Sequence, residues 1–216
     1  MDARITLLSK TPSYLNHLLQ EMRDITVQGD RMRFRTNLEK AGELMAYEMS
    51  KSLDYEDKTI TTPLGQHTCP LLKEQPIVVS ILRAGLPLHQ GALRMLDRAD
   101  NGFISAYRHH TKGNKFIVKV EYLACPSIEG RDVILLDPMI ATGQSLVLAY
   151  EALLQKGKPA RILVGGVIAS EAGVAYVLKH IPQAQVYACA IDHELTAKSY
   201  IVPGLGDAGD LAYGEK

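Results

Sequence analysis

The chain has 216 residues, 46% of them hydrophobic and 22% charged, with Lys+Arg and Asp+Glu equal at 24 each. That length is enough to bury a core and points to one domain spanning residues 1–216. The charge balance excludes the global field by which nucleic-acid binders and membrane-surface proteins gather polyanions, so any anion site must be local. Cys69, Cys125 and Cys189 form neither a CxxC pair nor a His/Cys cluster of zinc-like spacing. Reduced thiols in a cytoplasmic protein are therefore expected, since the N-terminal stretch lacks a signal-peptide core and no apolar run approaches the ~20 residues of a membrane helix.

In chain order, two helices are expected first, over residues 14–25 and 32–53, the second carrying Leu38, Ala41, Leu44 and Met45 on one stripe. They make an N-terminal region of about residues 13–53 that packs on the rest of the chain or on another subunit. From about residue 75 to about 192 the pattern changes: β-branched runs at 77–82, 133–136, 162–168 and 186–191 alternate with helical spacing at 86–96, 145–155 and 173–180. Gly157 stands where a C-terminal cap belongs. Continuous apolarity within the runs means strands covered on both faces, so the expected fold is α/β, a central mostly parallel sheet flanked by helices. Residues 116–122 alternate instead, like a hairpin arm, and follow the polar Arg108-His109-His110-Thr111-Lys112-Gly113-Asn114, which predicts a flexible flap. No repeat and no linker divides the chain.

The strongest chemical signal is Asp137-Pro138-Met139-Ile140-Ala141-Thr142-Gly143-Gln144-Ser145, between the apolar Leu135-Leu136 and a helical run. An acid at a strand end, then a small-residue turn opening a helix, gathers backbone N–H groups at a positive helix end and makes an anion cradle. Thr142 and Ser145 add hydroxyl donors, Gly143 permits close approach, and Asp137 is placed to accept from sugar hydroxyls. The same spacing also fits an ordinary strand end followed by a helix capped by Thr142 or Ser145, and spacing alone does not separate the two. It is not a Walker A loop, which needs a lysine that is absent here.

Gly204, Gly206 and Gly209 satisfy GxGxxG, yet only 7 residues follow Gly209, too few for the helix, strand and acid that give a dinucleotide motif its meaning. Arg83, in Leu82-Arg83-Ala84-Gly85-Leu86, follows another buried run and puts a fixed charge beside a turn, which suits a diphosphate. His109 and His110 are adjacent and point apart in an extended chain, so they read as loop histidines rather than metal ligands. His193, between Asp192 and Glu194, reads as polar surroundings, and no GxSxG hydrolase elbow occurs.

The segment Asp137 to Ser145 resembles the phosphoribosyl pyrophosphate (PRPP) loop of type I phosphoribosyltransferases. Its Asp-Pro in place of two acids, and the run Gly204-Leu205-Gly206-Asp207-Ala208-Gly209-Asp210, are particularly similar to uracil phosphoribosyltransferases. The resemblance extends to Phe34-Arg35, Ala46-Tyr47-Glu48, Thr61-Thr62-Pro63-Leu64 and Leu82 to Leu86, nearly the whole chain in order. It implies a type I phosphoribosyltransferase-like sheet over about 75–192, with a flap and a small base-binding hood over about 193–216. It implies transfer of the phosphoribosyl group from PRPP to uracil, giving UMP and pyrophosphate. By resemblance Arg83, Arg108, Asp207 and the loop Asp137 to Ser145 bind PRPP, with Asp137, Arg108, Arg83 and Asp207 as the catalytic set. Ile201, Gly206, Asp207 and Ala208 meet uracil. Mg²⁺ is expected to arrive on PRPP rather than on a dedicated protein site, with a contact to Asp207 through water. A homodimer or larger assembly and a GTP effector are further implications, with no membrane or nucleic-acid partner. Three departures stand out: Gln144 for a loop glycine, His109-His110 for acids after Arg108, and Leu211 for arginine after Asp210. The alternative is a non-catalytic PRPP or nucleotide sensor, or an RNA-binding pyrimidine regulator on the same fold, for which the balanced charge offers no basic face. The glycine loop argues against a purine or orotate transferase.

Overall fold

The computed structural model describes residues 2–110 and 116–215, and side chains outside 106–120. In chain order the elements are β1 (Ile5–Leu7), α1 (Leu15–Arg23), α2 (Arg31–Ser50), β2 (Tyr55–Thr62), β3 (Gly65–Leu72), β4 (Ile77–Leu82), α3 (Gly85–Met95), β5 (Asp100–His110) and β6 (Phe116–Ala124). There follow β7 (Asp132–Leu136), β8 (Met139–Ile140), α4 (Gln144–Leu153), β9 (Arg161–Ser170), α5 (Glu171–His180), β10 (Ala184–Asp192), β11 (Glu194–Leu195), β12 (Ile201–Val202) and α6 (Ala208–Tyr213).

The central sheet runs β1-β10-β9-β7-β4-β5-β6, with β8 attached to β9. Every neighbouring pair is parallel except β5 with β6. The apolar runs explain this placement. Successive residues of a strand face opposite sides, so Val78, Ile134, Leu136 and Leu163 join the core beneath α1, α2 and α3. Their neighbours Ile77, Val79, Val133, Leu135, Ile162 and Val164 join the core beneath α4 and α5. Two layers of helix therefore demand apolarity at every strand position, and the sequence shows it.

Asp30 starts α2 by accepting the Arg33 N–H at 3.0 Å. The helix stops at Ser50, and Lys51 and Ser52 continue as a turn before Leu53. Leu38, Ala41 and Met45 are fully buried, but Leu44 is 40% exposed and does not belong to their stripe. It lies about 100° around the helix from Met45, beyond the face that α3 and the sheet cover. Gly157, with φ of 122°, ends the 3₁₀ turn Leu154–Lys156 that extends α4.

Besides β5, β8 and α6, three pieces lay outside the expected elements. The short edge strand β1 pairs with β10, and β11 pairs with β12 around residues 196–200. The third, β2 with β3, is a hairpin separate from the main sheet and exposed along most of both strands. The expected flap is a β5–β6 ribbon, paired from Phe103 with Ala124 to His110 with Phe116. Residues 111–115 of that flap lie outside the described residues.

Candidate active site

Parallel sheets gather function at the carboxyl ends of their strands. Here β4 and β7 are neighbours, with Ser80 opposite Leu136. Arg83 and Asp137, the first residues past each strand, therefore leave adjacent strands at the same edge of the sheet, with β4 running two residues further. Arg108 lies on β5, the next strand over; its backbone pairs with Val118 and its side chain lies outside the described residues.

The loop after β7 is anchored before it turns. Asp137 N–H donates to Gly165 O at 3.0 Å, and Pro138 O accepts from Val167 and Ile168 N–H at 2.9 and 3.0 Å. Asp137 Oδ1 accepts from Met139 N–H at 3.2 Å. The Ala141 carbonyl accepts from the Ser170 hydroxyl at 2.5 Å, and that same hydroxyl caps α5 by accepting from Gly173 N–H at 2.8 Å. The Thr142 hydroxyl accepts from Gln144 N–H at 3.5 Å where α4 begins. The N-cap is Gly143, in the left-handed region at φ 75°, and it brings no side-chain acceptor to the helix start. The N–H groups of α4 after Gln144 have no carbonyl of their own helix to bond in its first turn, the arrangement in which an anion can be held.

Arg83 follows a cis Leu82–Arg83 peptide. Its Nη2 donates to Asp210 Oδ1 at 3.2 Å and to Gly214 O at 3.3 Å, while its Nε is buried and meets no protein acceptor. Arg83 is thereby tied to the helix that follows the glycine loop. Arg35 reinforces the same tail, donating to Ala212 O at 2.7 Å.

The glycine loop is ordered by what surrounds it. Ile201, Leu205 and Ala208 are buried in the core shared with α1 and α2, whereas Gly206 and Asp207 are exposed. What Ile201 and Ala208 have left for a ligand is backbone, the means by which a pyrimidine edge of alternating donors and acceptors is read. Asp207 is the N-cap of α6, its Oδ1 accepting from Gly209 and Asp210 N–H at 2.8 and 3.1 Å. The Val202–Pro203 peptide is cis. Asp192, at the end of β10, is held by Arg23 and by Gly204 N–H. Burial opposes its ionisation, but those hydrogen bonds outweigh burial and hold the carboxyl below its ordinary range. His193 pairs with Glu171 at 2.8 Å on the surface.

Sequence reading did not find Ser170, Gly173 or the Arg23–Asp192 pair. The run Ser170-Glu171-Ala172-Gly173 carries a helix-start signal, but nothing local links it to the phosphate loop. Arg23 and Asp192 are 169 residues apart, so no motif contains them.

A mostly parallel sheet flanked by helices, with Arg83 and Asp137 past adjacent strand ends, is a fold shared with phosphoribosyltransferases. The orotate phosphoribosyltransferase of Mycobacterium tuberculosis H37Rv, solved with PRPP, shares this fold at a TM-score of 0.52, with 13% identity, 84% of this chain and 91% of that chain covered. The family model UPRTase, uracil phosphoribosyltransferase, matches residues 9–215. A uracil phosphoribosyltransferase of Porphyromonas gingivalis is 48% identical over 205 residues, covering 94% of this chain and 95% of the relative. One from Pyrococcus furiosus is 38% identical over 205 residues, 94% of this chain and 87% of the relative. The AQ2163 protein of Aquifex aeolicus aligns at a TM-score of 0.86 with 30% identity over 97% of this chain and 98% of its own. The chain belongs to the uracil phosphoribosyltransferase family.

Proposed function

We propose that the chain transfers the 5-phosphoribosyl group from PRPP to N1 of uracil, releasing pyrophosphate and forming UMP, with its substrates held as follows. The α4 cradle binds the 5-phosphate through its first N–H groups with the Thr142 and Ser145 hydroxyls, and Asp137 accepts from the ribose hydroxyls. Arg83, with Arg108 from β5, faces the diphosphate. The C1′–O bond to pyrophosphate breaks with its electron pair leaving on the diphosphate, the C1′–N1 bond forms, and the N1 proton is lost. Charge that builds on the departing diphosphate is met by fixed cations, so rate comes from positioning and electrostatics. The observation that supports this reading is the Arg83–Asp210 contact, which brings the strand-end arginine against the end of the glycine loop.

Among the described residues no group of three or more His, Cys, Asp and Glu side chains forms a metal site. Asp207 and Asp210 are engaged as a cap and as the partner of Arg83. This donor set suits Mg²⁺ carried in on diphosphate oxygens and water, where it supplies charge neutralisation. Asp207 stands near that path as a water-mediated contact.

The β2–β3 hairpin supports assembly as part of this proposal. A free two-stranded hairpin is marginal in water, and this one exposes Tyr55, Ile60, Leu71 and, completely, Leu64. A second copy covering it would remove that cost.

The direct test is UMP formation from uracil, PRPP and Mg²⁺ with the purified chain and with Asp137→Asn. The variant is expected to lose about a hundred-fold in kcat/KM for PRPP. Full activity of the variant would remove Asp137 from the site.

A further inference from the structure

Both backbone polar groups of one residue in the base loop are held by an ion pair from outside the loop. Arg23, the last residue of α1, meets Asp192, the last residue of β10, through Nη1 to Oδ2 at 2.7 Å and Nη2 to Oδ1 at 2.8 Å. The same guanidinium donates to Gly204 O at 2.8 Å, and Gly204 N–H donates to Asp192 Oδ2 at 2.9 Å. Gly204 follows the cis Val202–Pro203 unit and sits at φ 56°, where a Cβ would collide with the Ile201 carbonyl. Neither its N–H nor its carbonyl is left to read a base.

Asp192 is 8% exposed. The Arg23 side chain is 24% exposed, so the pair is partly buried; taking charges out of water makes such a pair a poor way to gain stability, and the best-attested use of buried pairs is to fix a register. Here the register is that of Gly204 relative to the strand end, two residues before the exposed Gly206 and Asp207. The ring joins three separate parts of the chain: α1, the sheet, and the loop.

Resting on the uracil-transfer reading, we propose that Arg23 and Asp192 are positioning residues for the pyrimidine. They lock Gly204 so that Leu205 to Ala208 present their backbone to the base at a fixed height above the strand ends, and they touch neither substrate. The N-terminal helix α1 is on this account part of the base-specificity apparatus.

The proposal separates uracil from PRPP in kinetics. Arg23→Gln is expected to raise KM for uracil about ten-fold while KM for PRPP stays within about two-fold. Arg23→Lys, which keeps the charge but loses the two-pronged geometry, is expected to fall between. The double variant Arg23→Met with Asp192→Leu replaces the pair by apolar side chains, should keep the melting temperature, and should still show the raised uracil KM. It also keeps the test alive if the single variant does not fold. An unchanged uracil KM in a folded Arg23→Gln or double variant overturns the proposal, as does a parallel rise of both Michaelis constants. Absence of UMP formation by the unaltered chain overturns instead the uracil-transfer reading on which it rests.

Discussion

Replacing Gly173 by alanine tests whether the phosphate loop is held in place by α5. Gly173 lies in the first turn of α5, and its N–H bonds the Ser170 hydroxyl that in turn bonds Ala141 O. A methyl there would stand 2.6 Å from Ile140 O and closer still to Ala141 O. Carbon–oxygen contacts begin at about 3.3 Å, so the loop must retreat by at least about 0.7 Å. Overpacking of this kind costs about 1–3 kcal/mol, and alanine returns up to about 1 kcal/mol of helix propensity over glycine. The net loss of stability is therefore about 0–3 kcal/mol. Function should suffer more, because moving the anion donors by nearly an ångström costs on the order of a hundred-fold in rate. Urea unfolding and kcat/KM for PRPP, measured together, separate the two. Gly29→Ala is the control, since a Cβ there meets nothing within 4 Å. A folded Gly173→Ala protein with PRPP kinetics like those of the control would refute the buttress.

Asp207→Ala removes the acceptor for two α6 N–H groups and should cost about 1 kcal/mol in urea unfolding. Asp207→Asn keeps a capping oxygen, so a loss of turnover in the asparagine variant reports on the charge, and equal turnover would limit Asp207 to its cap. The Asp192 pKa is lower folded than unfolded, with Arg23, Gly204 N–H and the nearby His193 opposing the effect of burial. Its stabilisation is therefore present above the unfolded value of about 3.9 and disappears as pH falls through the lower folded value. Acid unfolding followed by circular dichroism should begin at higher pH in Arg23→Gln, and coincident curves would contradict this. Burial pushes the Cys189 thiol up to about 12, so it should react with a thiol reagent only after denaturation; labelling in the native protein would place it wrongly.

The strands of the main sheet were legible because two helical layers require an unbroken apolar run, and 77–82, 133–136, 162–168 and 186–191 each carry one. The turn from the end of β7 into α4 was legible because its parts are contiguous from Asp137 to Ser145. The hairpin Tyr55–Leu72 was not, since most of its residues are exposed and no face is covered to impose an apolar alternation. β1, 3 residues long, is too short to show a period. Leu44 was misplaced because helical spacing defines a stripe but not how wide a face its neighbours cover. Arg23 with Asp192, and Ser170 with Ala141, join distant positions through one or two hydrogen bonds, which leave no periodic trace in a sequence.

The most direct test of the central claim is a competition in which the purified chain receives PRPP and Mg²⁺ with equimolar uracil, cytosine, orotate, hypoxanthine and adenine. Nucleotide products and pyrophosphate are then counted. The account predicts UMP alone, formed one-to-one with pyrophosphate. A nucleotide of another base as the main product, or PRPP bound without turnover on any base, would contradict it.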